Sequence, residues 1–165
     1  MSRSSSVNAG EMAAGKTLAT GQAVVQSDTI LLQTDRRIEL VDLTEILTEL
    51  IRATGIREGI ASLWSLHTTC GLFINEAQPA LQSDIIRVLE SMVDRDAEWR
   101  HNDPEHSDCD RMNADSHLRA MLLGHSVTLQ VSGGVPVLGQ WQRILAGEMD
   151  GPRARSIRVQ VIGIA

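Results

Sequence analysis

Hydrophobic and polar positions follow a two-residue period along several parts of the chain, which is typical of β-strands. On the terminal segment, Arg155 has the same parity as Ile157, Val159 and Val161, so this arginine is expected on the core-facing side. Gly133-Gly134 predicts a hairpin turn before a return strand at Val135. The other segments that this pattern and residue preference predict as strands are 22–33, 37–41, 60–66, 126–131 and 141–149.

The segment 60–66 differs from the others because both of its alternating faces are apolar or small. Gly59 bounds it at the start, and a polar stretch follows. Strands of this composition are typical of sheet interiors with packing on both faces. We therefore predict a central strand that is covered on both sides.

Three segments show helical spacing of their apolar residues. The first begins at Asp42, which forms a capping-box-like pair with Glu45, and ends at Gly55. The second spans 79–93, with Pro79 in its first turn and a predicted buried stripe of Ile85, Val88, Leu89 and Met92. The third runs from an N-cap at Asn113 to about position 123.

A polar connection over 94–112 separates the second and third helices. It carries His101, His106, Cys109 and several carboxylates. The side chain of Trp99 is expected to pack against the rest of the domain and anchor this connection. Connections of this length are usually functional or mobile. At the other end of the chain, residues 1–20 are rich in Ser, Gly and Ala, which predicts a flexible arm before a single domain over 21–165.

Composition excludes several classes of protein. A chain of 165 residues with 42% hydrophobic residues is long enough for one packed core. No apolar run approaches the ~20 residues of a membrane-spanning helix, so we expect no membrane partner. The net charge of −6 argues against nonspecific nucleic-acid binding. Cys70 and Cys109 fit neither a zinc-ribbon spacing nor a disulfide framework, which favours a reducing, cytoplasmic setting.

Candidate chemistry begins at His67-Thr-Thr-Cys-Gly-Leu-Phe-Ile-Asn-Glu76, which follows the predicted central strand. A polar cluster at the end of a buried strand either finds hydrogen-bond partners or binds a ligand, because unpaired buried polar groups are costly. The alternative is a polar strand end that faces water. Within this stretch, Cys70 is either a soft metal ligand or an inert, small hydrophobic residue.

Three histidines lie in separate parts of the chain: His67 at a strand end, His101 in the connection and His117 on the third helix. Three neutral imidazoles with one open position are a common catalytic zinc arrangement, and Glu148 or Glu76 is a candidate base or supporting acid. Imidazole favours zinc over magnesium, which prefers oxygen ligands. The spacing matches no diagnostic motif, and a histidine at the position of His117 is more often a core residue whose hydrogen bonds are satisfied than a metal ligand.

The last two predicted strands add charged candidates. Glu148 shares a face with Ile144 and Ala146, so its carboxylate is paired, exposed at the rim or chemically active. Arg153 and Arg155 precede the core-facing residues of the last strand. Two arginines there can grip an anion bidentately, and the alternative is that they lie at the rim or pair with Asp150.

Five motifs in the same order carry a family resemblance. They are His67–Glu76, Trp99-Arg-His101, Asn113-Ala-Asp-Ser-His117-Leu, Leu138-Gly-Gln-Trp-Gln142, and Glu148-Met-Asp-Gly-Pro-Arg153-Ala-Arg155. Over 22–163 the chain closely resembles the YjbQ-like family. Two positions depart from the family pattern: Thr69-Cys70 replaces Ser-Ala, and Gln140 replaces a threonine.

The resemblance implies a compact α+β fold of mainly antiparallel strands with about three helices, assembled as a homotrimer. It implies a metal ion held by His67, His101 and His117, with zinc expected and magnesium as the alternative. The implied catalytic residues are Glu148, Glu76, Asn75 and Gln142. The implied residues for binding a substrate anion are Arg153, Arg155, Asn113 and Thr68.

The activity that the resemblance implies is that of a secondary thiamine-phosphate synthase. Such an enzyme is metal-dependent, acts on a small phosphorylated substrate, and joins a pyrimidine diphosphate to a thiazole phosphate with release of pyrophosphate. Two alternatives stay open at this point. One is a non-catalytic trimeric module that binds a metal or a phosphate, and the other is a metal-assisted hydrolase.

Overall fold

A computed structural model describes residues 16–165, so most of the predicted N-terminal arm lies outside the described residues. The strands are β1 (Val24–Gln33), β2 (Glu39–Asp42), β3 (Glu58–Ser65), β4 (Cys70–Asn75), β5 (Ser126–Ser132), β6 (Val135–Pro136), β7 (Arg143–Glu148) and β8 (Ala154–Ile164). The helices are α1 (Thr44–Thr54), α2 (Pro79–Met92) and α3 (Ala114–Leu123), with a single 3₁₀ turn at Arg100–Asn102.

The strands form two antiparallel sheets. The larger sheet has the order β1-β8-β3-β5-β6, and the smaller has the order β2-β7-β4. Within the larger sheet β3 is the middle strand, where Leu63 pairs with Val127 on one side and Val159 on the other. In the smaller sheet β7 is the middle strand, and its Glu148 pairs with Cys70 and Glu39.

The main core lies between the two sheets. Alternate residues of β3, β5 and β8 point inward and meet β4, β7 and α1, as the two-residue period predicts. Helix α1 contributes Leu47 and Ile51, both fully buried. Gly55 ends this helix in the left-handed conformation, at a φ of +73° that glycine adopts without steric cost.

A smaller core forms where α2 and α3 pack against the smaller sheet. It contains Leu89, Ala120 and Met149, with Leu123 packed against them. Close approach is possible because β4 and β7 carry glycines at the contact. A Cβ on Gly71 would lie 2.6 Å from the Cβ of Leu123. The smaller sheet is therefore covered on both faces, which fixes the ends of β4 and β7 relative to α3.

The predicted compact α+β fold with three helices and mainly antiparallel strands is confirmed. Among residues 16–165, no helix is both long enough and apolar enough to cross a membrane.

Three local predictions are wrong. The outer face of β3 is open, since Ile60 and Trp64 are 51% and 54% exposed, so this central strand is covered on one side. Helix α2 buries Leu89, whereas Val88 and Met92 lie on its exposed side. The stretch after His67 is a strand of the second sheet rather than a polar strand end, because its apolar residues Leu72, Phe73 and Ile74 pair with β7.

Candidate functional site

The most highly charged buried part of the protein surrounds the carboxylate of Asp150, which follows β7 and is 8% exposed. Three guanidinium groups donate to it. The distances to its oxygens are 3.4 Å from Arg37, 3.1 Å from Arg111 and 2.8 Å from Arg153. Asn113, which precedes α3, donates its amide to the same carboxylate at 2.9 Å. Asp150 therefore joins three distant parts of the chain.

A second carboxylate extends this cluster along α3. Asp115 is fully buried in the first helical turn, where a negative charge is favoured by the helix dipole. It pairs with Arg37 at 3.0 Å and with Arg119, one helical turn later, at 2.9 Å. The Nε atoms of Arg37 and Arg119 are buried and have no hydrogen-bond partner. The cluster thus retains unused donors.

Glu148 and Arg155 form a third, fully enclosed part of the cluster. Arg155 donates through Nε and Nη2 to the two carboxylate oxygens of Glu148. Arg155 is 3% exposed and Glu148 is not exposed at all. Glu148 also accepts from the backbone N–H of Asp150 at 2.8 Å, and Arg155 donates to Thr69 at 2.9 Å. This pair therefore positions the Asp150 loop from beneath and is itself sealed from solvent.

His67 lies next to this pair. The backbone N–H of Ser156 donates to His67 Nε2 at 2.8 Å. A neutral imidazole has one acceptor nitrogen, so Nδ1 carries the proton. Partial burial and the positive charge of Arg155 lower the pKa of His67, and Glu148 partly opposes this shift. The neutral ring is therefore held by the backbone.

His101 and His117 meet beside the charged cluster. Their ring centroids are 5.0 Å apart and their planes are nearly perpendicular. Both line a cavity of about 350 Å³ together with Trp99, Arg100, Ala114 and Leu118. Partial burial, followed by the nearby His101, lowers the pKa of His117, so its ring is neutral at pH 7. A neutral imidazole in a partly apolar cavity can accept a proton from a bound molecule.

The cluster has an excess of positive charge. Five arginines, at positions 37, 111, 119, 153 and 155, surround three carboxylates, at positions 115, 148 and 150. This local sign is opposite to that of the whole chain, whose net charge is −6. Its exposed edge is formed by Arg111, which is 53% exposed, and by Arg153, which is 29% exposed.

Other predicted site residues lie elsewhere. Cys70 and Asn75 are the two ends of β4, and the five steps from one residue to the next between them span about 17 Å. Asn75 and Glu76 therefore lie at the far end of the smaller sheet from Glu148. Gln142 is exposed near that far end, and its side chain accepts from the backbone N–H of Gly139 at 2.7 Å. Thr68 is exposed, whereas its neighbour Thr69 is the threonine that contacts Arg155.

The predicted metal site does not fit the geometry of one chain. His101 and His117 meet, but the lone pair of His67 Nε2 is used by Ser156. Throughout the part of the chain that is described, no three His, Cys, Asp or Glu side chains are arranged to hold a metal ion. Burial raises the pKa of Cys70 to about 11, which keeps it a thiol. The zinc or magnesium site stays a prediction.

Several residues of the cluster were missed in the sequence. Arg37 lies in a predicted strand and Arg111 in a polar connection, where neither has a distinguishing pattern. Asp150 was foreseen as a possible partner of the arginines, and it does pair with Arg153. Arg119 had a detectable signal, because it lies four residues after Asp115 on the predicted helix.

Comparison with known proteins gives a consistent result. The family model described as "UPF0047 protein YjbQ-like" matches residues 28–164. A UPF0047 protein of Methanothermobacter thermautotrophicus is 45% identical over 139 residues, which cover 84% of this chain and 93% of that protein. The UPF0047 protein YugU of Bacillus subtilis is 32% identical over 136 residues, or 82% of this chain and 98% of that protein.

A solved structure agrees with these relatives. The YbjQ-like protein from Sulfolobus solfataricus superposes with a TM-score of 0.80 at 33% identity, covering 86% of this chain and 99% of that chain. It is described as a protein of unknown function, and the sequence relatives are named only as UPF0047 proteins.

These findings overturn the predicted function. Neither the relatives nor the solved structure supports a thiamine-phosphate synthase, a transferase or dependence on a metal, and the prediction of a metal-dependent thiamine-phosphate synthase is wrong. The physical reason for the error is that histidines and arginines in a sequence do not reveal which of them are already paired. The predicted family is confirmed by the match over 28–164 and by the shared fold. The chain belongs to the YjbQ-like UPF0047 family.

Proposed function

We propose that the protein binds a small molecule through an oxyanion group, such as a phosphate, at the exposed edge of the Asp150 cluster. The observation that supports this proposal is the convergence of Arg37, Arg111 and Arg153 on one carboxylate. Guanidinium groups present several N–H donors in a plane that matches the oxygens of phosphate or carboxylate. Asp150 and Asp115 together do not neutralise these three groups and Arg119, which also pairs with Asp115.

Arg111 and Arg153 are the groups best placed to contact the ligand. Arg111 uses Nη1 for Asp150, and about half of its side chain is exposed. Arg153 uses Nε for the backbone carbonyl of Asp150 and Nη2 for its carboxylate. Asp150 thus holds both guanidinium groups in place, and among residues 16–165 Nη2 of Arg111 and Nη1 of Arg153 have no hydrogen-bond partner. This preorganisation lowers the entropy cost of binding.

The imidazole pair adds chemistry next to the anion. His117 lies four residues after Asn113, about 6 Å along the helix, and Asn113 contacts Asp150 directly. A ligand held by Arg111 and Arg153 therefore extends toward a neutral His117 that can accept a proton. Glu148 and Arg155 hold the loop in position from below, and their paired, buried charges leave no acceptor free for the ligand.

The test is a calorimetric titration with inorganic phosphate at constant ionic strength, with chloride as the reference anion. Phosphate is expected to bind in one saturable step. Arg111→Gln removes a charged donor worth about 1.5–3 kcal/mol, so phosphate affinity is expected to fall about 10-fold or more. Lysine in place of Arg111 is expected to restore part of the affinity as a point charge.

Arg143→Gln is the matched control. Arg143 is also a partly exposed, paired arginine, but its partners are Asp42 and Glu45, outside the cluster. Its substitution is expected to leave phosphate affinity unchanged. Equal losses in Arg111→Gln and Arg143→Gln would reduce the result to a general charge effect and refute the proposed site.

We also propose that the chain assembles as a homotrimer through the open face of the larger sheet. That face exposes apolar side chains on neighbouring strands: Val25 pairs with Ile162, and Ile162 with Ile60. Trp64 lies on the same face at 54% exposure. Exposed apolar patches on soluble chains commonly mark interfaces. The free thiols Cys70 and Cys109 support a reducing, cytoplasmic compartment for this assembly.

Light scattering after size exclusion measures the assembly. We expect a mass three times the 18.0 kDa of one chain. Trp64→Asp places a charge in the proposed interface and is expected to give monomers, whereas Val88→Asp on the exposed side of α2 is expected to leave the mass unchanged. A monomeric wild-type chain would refute the trimer.

A further inference from the structure

The start of α3 is capped in an unusual way. An asparagine at the N-cap usually accepts a hydrogen bond from a backbone N–H of the first helical turn. Asn113 occupies the N-cap of α3, but its side chain makes no such bond. Its Nδ2 donates to the Asp150 carboxylate at 2.9 Å, and its Oδ1 accepts from the Cys109 thiol at 3.7 Å. Both ends of this amide are therefore used outside the helix.

Asn102 supplies the capping oxygen from the connection between α2 and α3. Its Oδ1 accepts from the backbone N–H of Ala114 at 3.0 Å, although the two residues are twelve positions apart. This N–H is one of the groups that a helix leaves without an internal partner at its start. Two asparagines thus divide the task of one N-cap: Asn102 caps α3, and the amide of Asn113 is left to hold Asp150.

Asn102 is itself held in place by the residues before it. It is the last residue of the 3₁₀ turn Arg100–Asn102, and its backbone N–H donates to the carbonyl of Trp99 at 2.9 Å. The indole N–H of Trp99 donates in turn to the backbone carbonyl of Asp94 at 2.8 Å, just after the end of α2. The capping oxygen is therefore tied to the end of α2, and the bond to Ala114 links that end to the start of α3.

The bond between Asn102 and Ala114 closes the segment that carries Arg111. Arg111 reaches Asp150 through Nη1 at 3.1 Å, and its side chain is 53% exposed, so the guanidinium position depends on the backbone beneath it. The next residue, Met112, has a φ of +49°. This conformation is costly for a residue with a Cβ and persists where the surroundings impose it. The fixed start of α3 is one of the restraints that impose it.

We infer that Asn102 is a positioning residue of the proposed anion site. It acts without touching the anion: by capping α3 it frees the Asn113 amide for Asp150 and fixes the backbone from which Arg111 extends. This inference rests on the proposed function, because Arg111 is the group that contacts the anion. Loss of the cap is expected to let Asn113 turn back toward the helix and to let Arg111 move away from Asp150, which weakens anion binding by reducing preorganisation.

The experiment measures phosphate affinity by calorimetric titration, and the urea midpoint of unfolding, for the full chain and two variants that each lose a helix cap. Asn102→Ala removes the cap of α3. Gln78→Ala is the matched control, because Gln78 caps α2 by accepting from the Leu81 N–H at 2.7 Å and lies close in sequence to Asn75, at the far end of the smaller sheet. Both variants are expected to lower the midpoint. Only Asn102→Ala is expected to weaken phosphate binding, by about 3-fold or more.

A double variant separates positioning from a general loss of stability. If Asn102 acts through Arg111, Asn102→Ala is expected to weaken phosphate binding less in the Arg111→Gln background than in the wild type. Asn102→Ser, whose hydroxyl is too short to span the distance to Ala114, takes the place of Asn102→Ala if that variant does not fold. Unchanged affinity in the Asn102 variant, an equal loss in Gln78→Ala, or an equal loss in both backgrounds would overturn the inference and leave the anion site standing. No phosphate binding by the wild type would overturn the proposed function and the inference together.

Discussion

The buried Arg155–Glu148 pair gives the sharpest prediction. Arg155→Met keeps an unbranched side chain of similar length but leaves Glu148, which is fully buried, without its ion-pair partner. The remaining contacts of Glu148, the Asp150 backbone N–H at 2.8 Å and the Thr34 hydroxyl at 3.3 Å, do not replace a guanidinium. Removing one partner of a buried pair costs about 3–5 kcal/mol. With a urea slope of about 2 kcal/mol/M, the unfolding midpoint is expected to fall by about 2 M.

The cost is expected to come mainly from the charge of Glu148, which is left unpaired in a buried site. Adding Glu148→Gln removes the unpaired charge, and the free energy of unfolding of the double variant is expected to be about 1–3 kcal/mol higher than that of Arg155→Met alone.

Urea unfolding followed by circular dichroism at pH 7 measures these free energies of unfolding. Arg143→Met is the control, because its ion pairs are more exposed and are expected to contribute less than about 1 kcal/mol. A loss below about 1 kcal/mol for Arg155→Met, or no recovery in the double variant, would refute the view that this buried pair supports the Asp150 loop. It would return Arg155 to the set of candidate ligand-binding residues.

Three further predictions follow from the same structure. Folding lowers the pKa of His117, so its contribution to the free energy of unfolding is present above pH about 6.5 and is lost as the pH falls. In the variant His117→Asn, the free energy of unfolding should therefore decrease less between pH 7 and pH 5 than in the wild type. A thiol reagent at pH 7.5 should label Cys109 quickly, whereas labelling of buried Cys70 should require unfolding, as mass spectrometry of the native chain will show. Gly71→Ala should lower the midpoint of thermal unfolding by several degrees, because the new Cβ would lie 2.6 Å from Leu123 and 3.0 Å from the Gly124 carbonyl. An unchanged midpoint would contradict the packing of α3 on β4.

Much of the fold was predictable because local patterns fix it. The parity of Arg155 with Ile157 and Val159 correctly predicts that this arginine points inward from β8. Gly55 and Pro79 correctly mark the end of α1 and the start of α2. These features depend on a few neighbouring residues, so a single sequence contains them.

The outer face of β3 was not predictable by the same means. Ile60 and Trp64 alternate with Ala61 and Leu63, and both sets are apolar or small. Such a pattern indicates apolar surface on both faces of the strand but not what packs against each face. In this protein the inner set packs in the core and the outer set is exposed on the single chain.

The pairing of charges in the site was also beyond the sequence. Arg37 reaches Asp150 across 113 positions and Asp115 across 78. Such contacts depend on how α3 and the end of β7 are placed by the smaller core. The sequence predicted that three histidines from distant segments would meet. His101 lies beside His117, whereas His67 accepts from the backbone N–H of Ser156, a partner that depends on the same tertiary packing.

Crystals of the protein grown with arsenate test the central claim most directly, because arsenate resembles phosphate and its arsenic atom gives an anomalous signal. The predicted result is an anomalous peak within hydrogen-bonding distance of the Arg111 and Arg153 guanidinium groups, absent in crystals of Arg111→Gln. Peaks confined to other surfaces, with the Asp150 cluster empty at saturating arsenate, would contradict the account.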